Sequence, residues 1–96
     1  MFKLTGSKQV AEFATGLADE FIRLCPAGAR KAQPYVARVV DELARKLAEF
    51  HKTEQLGMIG KARFGTEFKH RLLDNGYDTP LVDDLTAKLL RVLTGQ

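Results

Sequence analysis

The stretch Pro34-Tyr-Val-Ala-Arg-Val-Val-Asp-Glu-Leu-Ala-Arg-Lys-Leu-Ala-Glu-Phe50 decides the fold. Val36, Val40, Leu43, Leu47 and Phe50 recur at steps of 4, 3, 4 and 3, which lines them along one side of an α-helix at the spacing of helix bundles. A single-sided helix of this length must bury its stripe against other helices. Its charges stand in i,i+4 register, Asp41 with Arg45, Glu42 with Lys46 and Arg45 with Glu49, so they are expected to neutralise one another along a solvated face.

Working outward, three more segments read the same way. Val10, Phe13, Leu17, Phe21 and Leu24 form a stripe over about 7–25, closed by Pro26. On that helix Ala11, Ala14, Gly16 and Ala18 are small, so a neighbouring helix is expected to cross there. Over 58–75, Phe64, Phe68 and Leu72 fall in line at four-residue steps; a break at Gly65 with Thr66 as N-cap is the alternative to one continuous helix. Asn75-Gly76 offers a left-handed cap, with Tyr77 folding back on Leu72 or Leu73, and Thr79-Pro80 supplies an N-cap and a first-turn proline for a helix over 80–94. No alternating run reads as a strand. The expectation is an all-α, compact bundle of about four helices (7–25, 34–55, 58–75, 80–94) in a single domain, 1–96.

Composition agrees. With 96 residues, 45% of them hydrophobic and 28% charged, the chain can bury one core without disorder and without metals or disulfides. Cys25 is alone, which suits a reducing, cytoplasmic setting, and neither Met1–Lys8 nor any later stretch has the apolar run of a signal peptide or membrane span. A soluble protein with no membrane partner is expected.

The net charge of +3 is unevenly laid out. Residues 1–29 balance, 30–71 carry +5 and 72–96 carry −2. The basic middle culminates in Gly57-Met-Ile-Gly-Lys-Ala-Arg-Phe-Gly-Thr-Glu-Phe-Lys-His-Arg71. Gly60-Lys61 echoes a nucleotide-binding loop, but the P-loop spacing, the hydroxyl residue after the lysine and the preceding strand are all missing. Arg30, Lys31, Lys61, Arg63, Lys69, His70 and Arg71 are the candidate contacts to phosphates or to an acidic partner, with Phe64 or Phe68 stacking on a base in the nucleic-acid version. Against this, Phe64 and Phe68 fit a core, and Arg63-Glu67-Arg71 can form a self-neutralising ladder. Lys61 and Lys69 then lie at the rim of the apolar arc and must snorkel. Segments 66–75 and 80–94 share the outline of a helix-turn-helix, yet the second helix would carry Asp78, Asp83 and Asp84 toward the phosphates.

No catalytic constellation emerges. His51 and His70 lack further metal ligands at ligand spacing, and Cys25 follows an apolar face with no base beside it. The carboxylate pairs Asp19-Glu20, Asp41-Glu42 and Asp83-Asp84 are adjacent, so their side chains diverge by about 100° on a helix. No catalytic residue, cofactor or metal is therefore expected. The leading expectation is a small non-enzymatic helical interaction or regulatory protein that self-associates, a dimer being favoured, through Leu81, Leu85, Leu89, Leu90 and Leu93 of the broad last stripe. The alternative is a nucleic-acid-associated protein using the basic middle.

Overall fold

The computed structural model describes residues 7–29 and 31–94. It holds four helices, α1 Ser7–Leu24, α2 Gln33–Glu54, α3 Met58–Asp74 and α4 Thr79–Leu93, and no strand among the described residues. The bundle is all-α. Each helix end falls within a residue of the boundary read from periodicity, and α3 runs unbroken through Gly65, so the break with Thr66 as N-cap is not realised. Gly65 is buried with Leu90 and Thr86 of α4 beside it; packing carries the helix through its weakest residue.

The helices form a ring in which α1 touches α3 and α2, and α4 touches α3 and α2, while α2 and α3 lie diagonally apart. Direction follows from paired residues. Phe13 faces Phe64 with ring centroids 6.4 Å apart and Asp19 meets Arg71, so α1 and α3 run parallel. Phe13 also stacks on Phe50 at 4.0 Å while Glu20 meets Lys46, and Gly65 lies beside Leu90 while Lys69 pairs with Asp83, which makes α2 antiparallel to α1 and α4 antiparallel to α3. One end of the bundle therefore carries the start of α1, the α2–α3 link, the start of α3 and the end of α4. The other carries the 25–32 connection and the 75–78 turn.

The most extensive helix contact is between α1 and α3. Ala14 and Ala18 are fully buried there, whereas Gly16 faces away with nothing near its missing Cβ, so the expected crossing is made by the alanines alone. The core contains Val10, Leu17, Phe21, Val39, Leu43, Leu47, Phe64, Phe68, Leu72, Val82, Leu85, Leu89 and Leu93.

Helix ends are settled by backbone geometry. Gly76 adopts φ +90° and closes α3: its N–H donates to Leu73 O, and that of Tyr77 donates to Leu72 O. The Tyr77 ring turns to Phe21, 5.7 Å away, and its hydroxyl donates to Cys25 O at 2.6 Å, tying the α3–α4 turn to the end of α1. Asp78, not Thr79, is the N-cap of α4, with Pro80 in the first turn. At the other end Gln55 takes φ +53° and donates its N–H to His51 O, while Leu56 N–H donates to His51 Nδ1 at 3.1 Å. His51 thereby anchors the link, and Leu56 is buried as its plug.

Candidate functional site

The basic residues of α3 separate onto different faces because successive positions turn by about 100°. Arg63 Nε pairs with Glu67 at 3.1 Å, but Arg71 does not complete the ladder expected from the sequence. It reaches across to α1, where Nε and Nη2 donate to the two oxygens of Asp19 at 2.8 and 3.0 Å. This forked contact holds the Asp19 carboxyl below its usual range and raises Arg71 further. Tertiary geometry wins because the interhelical carboxylate accepts two hydrogen bonds from the guanidinium. On α2 likewise, Arg45 turns to Glu42 one turn back and Lys46 crosses to Glu20 of α1 at 2.7 Å, instead of the i,i+4 partners read from spacing.

Lys61, Lys69 and His70 do come together. With Thr66 they line a shallow groove of about 260 Å³ between α3 and α4, floored by Gly65, Thr86 and Leu90. Lys69 solves its position at the apolar rim by extending its amine to Asp83, 3.1 Å away, so the acidic last segment neutralises part of the basic middle. Lys61 is half-buried and forms no ion pair among the described residues. Thr86 is buried in the groove floor and satisfies its hydroxyl by donating to Val82 O at 2.7 Å. Phe64 and Phe68 are fully buried, their rings 5.7 Å apart, so neither is available to stack on a base.

Lys31 lies at the opposite end, 5.5 Å above the Tyr35 ring, and Arg30 falls outside the described residues. Here a cleft of about 530 Å³ opens between the 25–32 connection and the 75–78 turn, walled by Phe21, Val36, Tyr77 and Leu81. Cys25 sits at its base. Burial pushes the thiol above its ordinary range, with Lys31 pulling weakly the other way, which keeps it protonated and a poor nucleophile. Among the described residues no group of three or more His, Cys, Asp and Glu is placed to hold a metal ion.

The leucine surface needs correction. Leu85, Leu89 and Leu93 are interior, packed in the protein's own core, and are closed to a second copy. Leu90 is half-buried over Gly65, and only Leu81 remains exposed, at 40%. The broad stripe is explained by the ring: α4 faces both α3 and α2 and needs an apolar arc wide enough for two neighbours.

The large exposed apolar side chains lie elsewhere. Met58 and Ile59, the first two residues of α3, are 86% and 85% exposed. They stand between Gly57 and Gly60 at the end of the bundle that also carries Lys8, Lys52, Lys61 and Arg91. Sequence reading passed over them. At about 100° per residue the phase of Phe64, Phe68 and Leu72 sets Ile59 opposite the core line but leaves Met58 only about 80° from its centre, so phase marks the first and not the second. Among the described residues no helix is long and apolar enough to cross a membrane. Comparison of the chain with protein-family models, with curated proteins and with solved structures gives no match.

Proposed function

We propose that this protein is a small, non-enzymatic helical interaction module whose docking end is the α2–α3 corner. One observation carries the reading: Met58 and Ile59 stand adjacent and almost wholly in solvent, while among the described residues every other large apolar side chain except Leu81 is buried or half-buried. A folded chain gains by burying such a pair against a partner. A two-fold pairing of this end with itself would set the same cations against each other, so the reading favours an acidic or anionic partner over a second copy. The lone, buried Cys25 fits a reducing, cytoplasmic setting.

The nucleic-acid alternative has less behind it. Arg63, Lys69 and Arg71 are engaged by Glu67, Asp83 and Asp19, and among the other described cations of the expected set Lys31 lies at the opposite end of the bundle from Lys61. Photocrosslinking in cells tests the proposal. A diazirine side chain placed at position 59 should give defined adducts that Met58→Asp suppresses, while one at exposed Ala37 should give none. Equal labelling from both positions, or none from either, would count against the docking end.

A further inference from the structure

We propose that the occupant of this end is the surface of an anionic bilayer, with Met58 and Ile59 entering the headgroup–acyl boundary and the surrounding cations facing lipid headgroups. This rests on the reading of the α2–α3 corner as the docking end. Three observations select lipid over a protein partner.

The apolar feature is a tip and not a face. A stable protein interface takes about 20–30 residues a side with a desolvated centre, whereas here two adjacent side chains project beyond neighbours that are small or polar: Gln55, Gly57, Ala62 and Arg63 are all exposed around them. A bilayer needs no matching contour to accept such a tip. Second, the charge is complementary. The terminal turns of the four helices at this end present Lys8, Lys52, Lys61 and Arg91 against Glu54, and cations grouped around an inserted apolar element are attracted to the negative potential of anionic lipid. Third, the two signals are coincident. Neither two apolar side chains nor a few cations hold a protein on a membrane alone, but their sum does, reversibly and with dependence on salt and lipid charge. Leu81, the other large exposed apolar residue among the described ones, is at the far end and takes no part.

The absence of tryptophan from the chain makes the test direct. The full chain is sedimented with vesicles of phosphatidylcholine containing phosphatidylserine, and with phosphatidylcholine alone. Partitioning is expected onto the first and not the second, and it should weaken as salt is raised. Met58→Asp and Ile59→Asp should each lower the partition coefficient about tenfold or more. Lys52→Glu with Lys61→Glu should remove most of the preference for phosphatidylserine. All four positions lie outside the core, so helical circular dichroism should be unchanged in every variant. In Ile59→Trp, emission should shift to the blue on the anionic vesicles, reporting insertion of that position.

A wild-type chain that stays in the supernatant, aspartate variants that partition equally well, or an unshifted Ile59→Trp spectrum would overturn the proposal. If vesicles fail while a probe at position 59 still crosslinks a protein in cells, the lipid inference falls and the docking end stands. If both fail, both fall.

Discussion

Replacing Gly16 by alanine should make this protein more stable. The residue lies in the middle of α1, exposed, and a Cβ built on it meets nothing within 4 Å. No positive φ requires a glycine there, since the described glycines with positive φ are Gly28 and Gly76. What remains is propensity. Glycine in a helix interior costs about 0.8–1.0 kcal/mol relative to alanine, mostly because its unfolded backbone has more freedom to lose. With no clash to offset that gain, Gly16→Ala should add about 1 kcal/mol, which for a domain of this size raises Tm by roughly 4–8 °C. Gly76 provides the opposing control. It ends α3 at φ +90°, a conformation strained for a residue with a Cβ, so Gly76→Ala should lower stability by about 1 kcal/mol or more. Urea unfolding of the two variants beside the parent chain measures both signs. A Gly16→Ala variant no more stable than the parent would show that the outer face of α1 is not open as described, or that the helix is not continuous there.

Three further outcomes follow from the packing. Leu89→Ala should cost about 2–5 kcal/mol, because the side chain is wholly buried, whereas Leu81→Ala should cost roughly 0.5 kcal/mol or less; similar losses from both, in urea titrations, would contradict the assignment of the α4 stripe to the interior. Tyr77→Phe removes the buried donor to Cys25 O and should cost about 1–2 kcal/mol by the same assay. Asp19 has its folded pKa depressed by Arg71, so the pair's contribution is fully present above the unfolded carboxylate pKa and is lost as pH falls through the folded one. The pair is half exposed, so Asp19→Asn should lower Tm by a few degrees at most near neutral pH, and the gap should close in acid; a gap that widens on acidification would reverse the sign of this linkage.

Periodicity made the helices legible because a buried stripe leaves a repeating mark. Val36 through Phe50 and Val10 through Leu24 could have no other regular reading, and Asn75-Gly76 with Thr79-Pro80 marked the turn through conformations few residues tolerate. Partners across helices were not legible. Arg71 had Glu67 at ideal spacing on its own helix, but it bonds Asp19, fifty-two positions away, because parallel packing of α1 and α3 sets that carboxylate opposite it. Likewise the width of the α4 stripe showed that more than one surface covered it, but not that both belonged to the same chain. Met58 and Ile59 were hidden for the opposite reason. They precede the first core residue of α3 by more than a turn, where the phase of Phe64, Phe68 and Leu72 turns Ile59 outward but leaves Met58 near the edge of the core arc, so its exposure depends on where the neighbouring helices end.

The ring order of the helices divides the chain into two incomplete halves. The most extensive contact is between α1 and α3, and α2 also packs on α4, so most of the helix packing lies between the two sequence-adjacent hairpins. Severed in the three-residue link 55–57, each fragment would expose an unmatched apolar side and lack a core of its own; mixed, the two would rebuild every helix interface. The same complementarity is available between two intact copies. If the link opened at Gln55, whose backbone already takes a positive φ unusual for a side chain of its size, the hairpins could be exchanged and each core completed by the other molecule. Such a dimer would draw on no surface patch at all. The three residues of the link, and not any leucine on α4, would then set the balance between one chain closing on itself and two chains closing on each other.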